Sequence, residues 1–574
     1  MMNDIHALYE LWKEKAVLDP DLKTELDAME GNEDAILDSF YCNLQFGTGG
    51  LRGVIGAGTN RMNVYTVGQT TQGLADYLNA NFENPSVAIA FDSRIKSEVF
   101  AHQAAGVLAA NGIKVYIYPE LMPTPMLSFA VKRLGCSSGI VITASHNPSK
   151  YNGYKCYDPH GYQMTDEAAA ATYEYIGKVD IFTGVKRMDF DDALAEDMVD
   201  FIEDWVKEEF FAEVLKTQIN PGICKKAGLK IIYTPLNGTG NKPVRRMLRV
   251  VGVKDVSVVP EQEKPDGHFP TCSYPNPEFR EAFESALAMA ETSDADLLIA
   301  TDPDCDRIGI AVHHDGDYRL MTGNEVGAML SEYILEQRTA KGNLPEHPYI
   351  LKSIVTSPLI SKIAEAYGCE MVDLLTGFKY TGEFITKLAE KGEFDRFLLG
   401  MEESYGYLSG AQARDKDAVG ASVLVAEMAS YYKTLGMDLV DFMDSIYKKY
   451  GYYLNVVNNF GFEGAQGMQQ MQDIMSAMRK AAPAQLGGKK VEKTSDYKLG
   501  EIVCVASGEK CDTGLPRSNV LSYDLEDGNR VMVRPSGTEP KIKVYITSRA
   551  ADRAAAEKQA EAFSADMKSH MGIK

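Results

Sequence analysis

Three short polar segments of the sequence combine residue types that can do chemistry. In the first, the apolar run Gly139–Ile142 leads into Thr-Ala-Ser-His-Asn-Pro, which sets the hydroxyl of Ser145 beside the imidazole of His146. Such a pair can supply a nucleophile or phosphate carrier together with an acid–base group. Ser, Asn and Pro are also common turn residues, so a capped turn without chemistry is the alternative. The segment lacks the Gly-x-Ser-x-Gly pattern, which disfavours a hydrolase nucleophile elbow.

The second segment carries three alternate carboxylates, Asp302, Asp304 and Asp306, directly after the apolar run Leu-Leu-Ile-Ala-Thr. Carboxylates in an extended turn can converge on one hard cation, which prefers oxygen ligands. An EF-hand is excluded because the sixth loop position is Arg307 and the twelfth is His313, where Gly and Glu are needed. A solvated acidic turn is the alternative, at a cost in charge repulsion. The pattern favours a divalent metal, and three carboxylates leave positions for a Mg²⁺ shared with phosphate.

The third segment, Arg-Pro-Ser-Gly-Thr-Glu at 534–539, lies between two strand-like runs and is followed by two lysines. Its anion-binding groups are the guanidinium of Arg534, the hydroxyls of Ser536 and Thr538, and the backbone at Gly537. In an acidic chain this local excess of cations predicts a phosphate-binding loop. A surface hairpin with exposed basic residues is the alternative.

Three further segments are less specific. A Gly-rich segment at 46–53, expected to form an anion-binding turn, carries Arg52 but matches no nucleotide-binding motif. Lys379, Glu402 and Ser404 lie near strand ends, where carboxylates and hydroxyls could bind a polyol, and a charged turn contains Lys416. Each could equally be a polar loop.

The composition narrows the class of protein. With 574 residues, of which 45% are hydrophobic and 24% charged, the chain resembles ordinary globular proteins and can bury several cores. The 59 Lys and Arg against 81 Asp and Glu leave a formal charge of −22, which repels nucleic acid and anionic membranes. Nine scattered cysteines without a C-x-x-C pair indicate a reducing compartment. We therefore expect a cytoplasmic protein with no nucleic-acid or membrane partner.

Three stretches of the sequence repeat one plan of strand, helix, strand and polar loop. Their first strands are expected within 87–94, 229–240 and 349–358, and their polar loops at 143–148, 301–307 and 400–406. This alternation predicts parallel or mixed α/β layers. The remainder predicts an α+β region with a helix at about 464–481, a polar loop at 485–498, short antiparallel strands and a final helix at 553–569.

The combination of a hydroxyl carrier, a metal cluster, a phosphate-binding loop and polyol-binding carboxylates indicates phosphoryl transfer on a sugar phosphate. Because no nucleotide-binding loop is visible, the donor should be a phosphoserine of the enzyme itself. The motifs resemble, in order and over nearly the whole chain, those of the α-D-phosphohexomutase superfamily, the phosphoglucomutase and phosphomannomutase family. The segments at 46–53, 376–383 and 401–407 look most like the longer phosphoglucomutase branch that includes phosphopentomutase-like enzymes.

The resemblance implies three similar α/β domains with mixed sheets and a smaller C-terminal α+β domain around a central cleft. The expected boundaries are 1–205, 206–323, 324–450 and 451–574. The resemblance also implies that Ser145 is the phosphoserine, whose phosphate joins the three aspartates around one Mg²⁺. Its implied acid–base groups are His146 and Lys155, and the cations implied to neutralise the transferred group are Arg52, Lys155 and Arg307.

The resemblance further implies that the sugar hydroxyls are bound by the loops around Glu402 and that the non-reacting phosphate is held by the loop at Arg534. The implied substrate-binding residues are Thr376, Gly377, Lys379, Glu402, Ser404, Lys416, Arg534, Ser536, Gly537 and Thr538. Met401, Phe378, Tyr405 and Tyr407 depart from the residues that many members have at these positions, which leaves the identity of the sugar open.

The implied activity is reversible interconversion of glucose 1-phosphate and glucose 6-phosphate through glucose 1,6-bisphosphate, which also serves as primer. Pentose and mannose phosphates are alternative substrates of the same mechanism. A sugar-bisphosphate synthase or phosphatase using the same phosphoserine is a further alternative. A non-catalytic sensor is not supported, because Ser145, the three aspartates and Arg534 are all present. A monomer or homodimer is expected.

Overall fold

The computed structural model of the protein describes residues 2–47, 49–462, 464–536 and 541–573. Over these ranges the chain forms twenty α-helices, twenty-three β-strands and three short 3₁₀ helices. It divides into two compact units. The first contains the chain up to Thr322, Phe378–Gly400 and Ser404–Asp438, and the second contains Gly323–Gly377, Met401–Glu403 and the residues from Leu439 onward.

Three helices precede the first sheet: α1 (Met2–Lys15), α2 (Pro20–Ala28) and α3 (Glu33–Phe40). Trp12 of α1 is fully buried, and its ring lies edge-on to Phe40, Tyr65 and Phe182 with centroids 5.4–5.8 Å apart. Edge-to-face aromatic contacts add to the stabilisation from burial. This aromatic cluster joins the N-terminal helices to the first α/β layer.

The first sheet has six strands in the order β1-β5-β4-β2-β3-β6. Its strands are β1 (Gly50–Val54), β2 (Ser86–Phe91), β3 (Lys114–Ile117), β4 (Ser138–Ile142), β5 (Tyr151–Tyr157) and β6 (Val199–Phe201). The helices of this region are α4 (Val64–Asn81), α5 (Ser97–Ala110), α6 (Thr124–Leu134), α7 (Asp166–Ile176) and α8 (Phe190–Ala195). Strand β2 is parallel to β3 and β4, whereas β5 is antiparallel to β4 and β1.

Arg52 lies on strand β1, opposite Gly153 of β5, rather than in a Gly-rich turn. The expectation of a turn at this residue is wrong, because Gly50 and Gly53 are strand residues here. A Cβ on Gly50 would lie 2.2 Å from the Tyr154 carbonyl oxygen, so Gly50 permits the close approach of β5.

The second sheet has five strands in the order β11-β10-β9-β7-β8. These are β7 (Lys230–Thr234), β8 (Asp255–Val258), β9 (Leu297–Thr301), β10 (Ile308–His314) and β11 (Asp317–Met321). The accompanying helices are α9 (Asp204–Leu215), α10 (Ile223–Ala227), α11 (Asn241–Val250), α12 (Pro260–Glu263) and α13 (Glu284–Ala290), with a 3₁₀ helix at Arg280–Phe283. As in the first sheet, the first strand of the repeat, β7, lies between the second and the third and is parallel to both.

The third sheet has four strands: β12 (Tyr349–Ser353), β13 (Glu370–Leu374), β14 (Phe397–Glu402) and β15 (Gly406–Leu408). Strands β12 and β13 are parallel. The helices of this part of the chain are α14 (Gly323–Lys341), α15 (Pro358–Ala366), α16 (Lys379–Glu390), α17 (Ala418–Thr434) and α18 (Leu439–Tyr450), with a 3₁₀ helix at Phe394–Arg396. In all three repeats the polar loop follows the third strand, which confirms the predicted plan.

The C-terminal sheet is antiparallel and follows the order β16-β23-β22-β21-β18-β19-β20, with β17 paired to β18. Its strands are β16 (Tyr452–Gly461), β17 (Gln485–Leu486), β18 (Lys489–Asp496), β19 (Glu501–Cys504), β20 (Lys510–Asp512), β21 (Leu521–Leu525), β22 (Asn529–Pro535) and β23 (Lys541–Ala550). Helices α19 (Gly464–Lys480) and α20 (Arg553–His570) share one apolar core with the sheet, and a 3₁₀ helix spans Glu526–Gly528. This confirms the predicted α+β region.

The predicted polar loop at 485–498 is wrong over most of its length, because β18 is an inner strand of the sheet. In β18 only Val491 and Ser495 are buried, while the intervening side chains are partly or fully exposed. One apolar residue in eight gives too little alternation to indicate a strand. Strand β18 is extended because it pairs with β19 on one edge and with β21 on the other.

No helix in the described ranges is long and apolar enough to cross a membrane. The nine cysteines, all of which lie within those ranges, are free thiols.

We predict that Trp12→Ala destabilises the first unit by about 3–5 kcal/mol, because the change leaves a cavity among three aromatic rings. Leu11→Ala, a neighbouring substitution at a residue that is 40% exposed, should change stability by less than about 0.5 kcal/mol. Urea unfolding followed by circular dichroism measures both. Equal effects of the two substitutions would contradict the anchoring role of Trp12.

Candidate active site

Ser145 lies in a tight turn just beyond strand β4. Its φ of 52° is in the left-handed region, which is uncommon for a residue with a side chain. The backbone N–H of Ser145 donates to Oγ1 of Thr143 at 2.8 Å, which fixes this conformation. The Ser145 Oγ donates to Oδ2 of Asp302 at 2.6 Å and lies 3.2 Å from Nδ1 of His146. The turn thus directs the hydroxyl at the acidic loop of the second sheet.

A buried ion pair, Asp92 and Arg94, stabilises this turn by hydrogen bonds to its residues. Oδ2 of Asp92 accepts a hydrogen bond from the Thr143 hydroxyl at 2.7 Å and lies 3.4 Å from Nε of Arg94. The Arg94 guanidinium donates to backbone carbonyl oxygens within and after the turn, those of Ser145, Asn147, Pro148 and Tyr151. One rigid cation therefore holds the whole serine loop.

Asp302, Asp304 and Asp306 form a buried acidic cluster after strand β9. Each can offer one carboxylate oxygen within 4.8 Å of the others, and none is more than 2% exposed. Oδ1 of Asp302 accepts from the backbone N–H groups of Asp306 and Arg307 at 3.1 and 3.0 Å, which folds the loop back on itself. The sequence prediction that these three carboxylates converge is confirmed.

The donor set of the cluster fits a hard divalent cation. Burial and the charges of Asp304 and Asp306 raise the pKa of Asp302 well above its usual value, and a cation among the three carboxylates would favour its ionised form. Oδ1 of Asp304 and Oδ1 of Asp306 are buried and accept no hydrogen bond from any described residue. Oxygen atoms without donors, in a group of carboxylates, are suitable ligands for a metal ion.

Lys155 of strand β5 supplies positive charge to the cluster. Its Nζ donates to Oδ2 of Asp304 at 2.9 Å and lies 3.6 Å from Oδ2 of Asp306. Burial lowers the pKa of Lys155, but the two carboxylates outweigh it and hold the pKa above its usual value. The Thr124 hydroxyl also donates to Oδ2 of Asp304, at 2.9 Å. Lys155 therefore supplies an ammonium group to Asp304 and Asp306.

Two arginines lie near His146. Burial, followed by the charges of Arg307 and Arg52, lowers the pKa of the His146 ring well below its usual value. Arg307 is oriented by the Glu278 carboxylate and by the backbone carbonyl of Ser404, each 3.1 Å from its Nη1. Arg52 is exposed at strand β1. The positive charges expected around the serine are thus brought together in the first unit.

Lys416 approaches the acidic cluster from a different segment of the first unit. Its Nζ lies 3.3 Å from Oδ2 of Asp306 and 3.0 Å from Oδ1 of Asp415. Asp415 in turn accepts from the Tyr157 hydroxyl at 2.7 Å. The Lys416 ammonium also lies 5.4 Å from the centre of the buried Phe378 ring, within the range of a cation–π interaction. Lys416 therefore contacts both the acidic loop at Asp306 and Asp415 in its own charged turn.

Lys379 has a different environment from that of the other candidate cations. At the start of α16 it is 5% exposed, and its Nζ donates to Oδ1 of Asp166 at 2.6 Å. The hydroxyl of Tyr380 donates to the other oxygen of the same carboxylate at 3.0 Å. In this structure Lys379 is thus held by Asp166 of helix α7.

In the second unit, Glu402 ends strand β14 and is fixed by a backbone donor. Its Oε1 accepts from the N–H of Gly377 at 2.7 Å, where Gly377 has a φ of +114° and follows the half-buried Thr376. The adjacent Glu403 accepts from the Ser353 hydroxyl at 2.9 Å. Two carboxylates are therefore held in fixed orientations at the end of this strand.

Arg534, near the end of strand β22, lies in the same unit. It pairs across the sheet with Lys543 of β23. Burial and the carboxylates of Glu403 and Glu402 raise the pKa of Tyr545, whereas Arg534 lowers it. Tyr545 is therefore close to both the Arg534 guanidinium and the carboxylates that follow β14.

Ser536 is half-buried, and its backbone N–H donates to the Lys541 carbonyl at 2.8 Å. This bond closes the base of the predicted phosphate-binding loop. The predictions for Gly537 and Thr538 lie outside the described residues.

Four residues of this site were not predicted from the sequence: Asp92, Arg94, Thr124 and Asp415. Asp92 and Arg94 follow the buried strand β2, a position where polar residues in a parallel sheet often serve a site. The position of these two residues after a buried strand could therefore have indicated that they belong to the site. Thr124 and Asp415 carried no comparable signal, because they reach the cluster from segments distant in the sequence.

We predict that Asp304→Asn weakens binding of a divalent cation at least about tenfold, since it removes one anionic ligand. Titration calorimetry with Mg²⁺ or Mn²⁺ measures the affinity. Asp255→Asn, at an exposed carboxylate of the same sheet, is the matched control and should leave the affinity unchanged. Equal affinities for the two variants would remove Asp304 from the metal-binding set.

Comparison with known proteins identifies the family. Four domain models of the phosphoglucomutase/phosphomannomutase family match in order: α/β/α domain I at 43–181, domain II at 208–316, domain III at 322–450 and the C-terminal domain at 463–565. A phosphoglucomutase of Staphylococcus saprophyticus is 37% identical over 505 residues, covering 88% of this chain and 90% of that protein. One of Staphylococcus aureus is 35% identical over 539 residues, covering 94% and 95%.

Solved structures share the fold at lower identity. A phosphoglucomutase/phosphomannomutase family protein of Burkholderia thailandensis has a TM-score of 0.65 at 18% identity and covers 92% of this chain and 97% of that one. Parafusin, a phosphoglucomutase of Paramecium, has a TM-score of 0.67 at 16% identity and covers 93% and 95%. With all four domains matched in order and relatives above one-third identity over most of its length, the chain belongs to the phosphoglucomutase/phosphomannomutase family.

Proposed function

We propose that this protein is a phosphoglucomutase, an isomerase that interconverts glucose 1-phosphate and glucose 6-phosphate through a phosphoserine at Ser145. The observation that carries the proposal is the 2.6 Å contact between the Ser145 hydroxyl and Asp302 of the acidic cluster. This contact supports the proposal because it joins the proposed phosphate carrier to the carboxylates that are proposed to bind the metal. The phosphoglucomutase names of the similar Staphylococcus proteins support glucose as the sugar.

In the proposed reaction, phosphorylated Ser145 gives its phosphoryl group to the C6 hydroxyl of glucose 1-phosphate. The Oγ–P bond breaks and the O6–P bond forms, and the proton of the C6 hydroxyl passes by way of His146, whose Nδ1 lies 3.2 Å from the serine oxygen, to the departing Oγ of Ser145. Lys155 is the second acid–base candidate. The bisphosphate then presents its C1 phosphate: the O1–P bond breaks, an Oγ–P bond forms at Ser145, and the serine hydroxyl proton passes to O1, which leaves glucose 6-phosphate and phosphorylated Ser145.

The remaining candidate residues bind and orient the substrate. Lys155, Arg307 and Arg52 offset charge on the transferring phosphoryl group, which is where catalysis of such transfers mostly lies. A bound Mg²⁺, held by the three aspartates and the serine phosphate, would add positive charge at the same oxygens. We assign the sugar hydroxyls to Glu402 and Ser404. The residues assigned to assist them, or to hold the non-reacting phosphate, are Thr376, Gly377, Lys379, Lys416, Arg534, Ser536, Gly537 and Thr538.

Glucose 1,6-bisphosphate is the proposed primer, because an unphosphorylated Ser145 can regain its phosphate from it. We also propose four domains, separated by the three boundaries 205/206, 323/324 and 450/451, a cytoplasmic location and a monomer or homodimer. The free cysteines support a reducing compartment.

We predict that, with Mg²⁺ and a trace of glucose 1,6-bisphosphate, the enzyme isomerises glucose 1-phosphate with a higher kcat/KM than mannose 1-phosphate or ribose 1-phosphate. The assay follows the isomerised product and free phosphate together. A preference for the pentose ester would make it a phosphopentomutase, and release of phosphate without isomerisation would overturn the mutase assignment.

Ser145→Ala should lower kcat at least about 1,000-fold. Ser149→Ala, in the same loop, is its control and should retain activity.

We predict that Arg94→Lys lowers kcat about 100-fold, because a lysine cannot donate to four carbonyl oxygens and the serine turn shifts. KM should change far less, since the hydrogen-bond and ion-pair partners of the Arg94 guanidinium in the described part of the chain are backbone carbonyl oxygens and the Asp92 carboxylate, and not groups proposed to bind the substrate. Arg61→Lys is the matched control: Arg61 also donates to backbone carbonyl oxygens, at Asp38 and Asn60. A similar loss of kcat in both variants would mean that Arg94 acts only on overall stability.

A further inference from the structure

A surface groove in the C-terminal region carries an excess of positive charge. It has a volume of about 690 Å³ and lies between helix α20, the β17–β18 hairpin and the end of strand β23. Half of its ten lining residues are glycine or alanine, and its charged lining residues are Lys489, Arg549, Lys558 and Asp527. All of these residues belong to one compact unit. A volume of this size is within the range of small-molecule sites.

Two of the three cations lack a carboxylate partner. Lys489 is paired with Asp527, with its Nζ 2.6 Å from Oδ2. Within the described ranges, neither Arg549 nor Lys558 forms an ion pair with a carboxylate. The groove therefore has two uncompensated positive charges on a chain whose formal net charge is −22. Such a local excess indicates a binding site for an anion with two negative charges.

Arg549 is held in place before any ligand binds. Its Nη1 donates to the backbone carbonyl of Asp527 at 3.3 Å, and its guanidinium lies 5.6 Å from the centre of the Tyr453 ring. Gly451 and Gly528 lie alongside it, where a Cβ would already be 3.4 Å from the arginine side chain. A cation that is already ordered loses little entropy when it binds a ligand.

The groove is separate from the predicted phosphate-binding loop of the active site. Arg534 pairs with Lys543 at one end of strand β23, whereas Arg549 and Ala550 lie at the other end. Lys543 and Arg549 are six positions apart on an extended strand, so their Cα atoms are about 20 Å apart. One ligand phosphate cannot contact both arginines.

We propose that this groove binds a soluble phosphate monoester, independently of the proposed active site. A monoester carries about −1.5 to −2 charges at pH 7, which matches the two uncompensated cations. The planar guanidinium of Arg549 can bind two phosphate oxygens at once, and Lys558 adds a point charge. The small side chains of Gly487, Ala555 and Ala562 leave room for the organic part of the ester.

The test uses lysine reactivity, which reports on the groove locally. The full-length protein is acetylated with trace acetic anhydride, with and without glycerol 3-phosphate at constant ionic strength, and labelled peptides are quantified by mass spectrometry. We expect the ester to slow labelling of Lys558 at least threefold. Lys568, an exposed lysine on the same helix but outside the groove, should be labelled at an unchanged rate. Arg534→Ala should retain the protection of Lys558.

Arg549→Gln should abolish the protection, and circular dichroism checks that this variant is folded. If it is not, Ala555→Glu supplies a second variant, because a carboxylate at this exposed position in the groove repels the ester. Unchanged labelling of Lys558 in the wild-type protein would overturn the proposal. Protection by sodium chloride at equal ionic strength, protection that persists in the folded variants, or loss of protection in Arg534→Ala would also overturn it.

Discussion

The constraint on which the active-site region depends is the burial of three carboxylates within 4.8 Å of one another. Three negative charges in a site of low dielectric repel strongly, so the surrounding structure has to supply positive charge and hydrogen-bond donors. Lys155 and Lys416 reach the cluster from separate segments, and Arg307 extends from the same loop. The oxygens that still accept no hydrogen bond in the described structure define where a divalent cation is needed.

The repeated α/β topology explains how the nucleophile comes to meet this cluster. Strands β4 and β9 occupy the same place in their sheets, each next to the first strand of its repeat and each followed by a polar loop. Loops at the carboxyl ends of such strands are the usual place for ligands in α/β folds. The two loops meet at the hydrogen bond between Ser145 and Asp302. Two copies of one architectural feature thus supply the proposed phosphate carrier and the proposed metal-binding group.

Sequence reasoning succeeded where the chemistry is local and failed where a contact is made at long range. Ser145 and His146 are adjacent in the sequence, and the three aspartates occupy alternate positions. Residue type and spacing were therefore sufficient to predict that the members of each set lie together. Arg94 was not predicted because its four carbonyl acceptors belong to a loop some fifty residues away. Strand β18 was missed because its apolar content is too low and its neighbours determine its conformation. The orientation of Lys379 depends on Asp166, more than two hundred residues distant, and no local pattern contains it.

The net charge of −22 sets a physical condition on how this chain can recognise an anionic sugar phosphate. A negative chain repels an anionic substrate. At physiological ionic strength the Debye length is about 8 Å, so this repulsion is screened beyond short range, and the net charge provides no attraction. Recognition must therefore come from direct contact with cations whose positions are already fixed. Lys155 is fixed by two aspartates and Arg307 by Glu278. Fixing these cations against protein groups lowers the entropic cost of binding phosphate, and it keeps positive charge where the phosphoryl group is proposed to move.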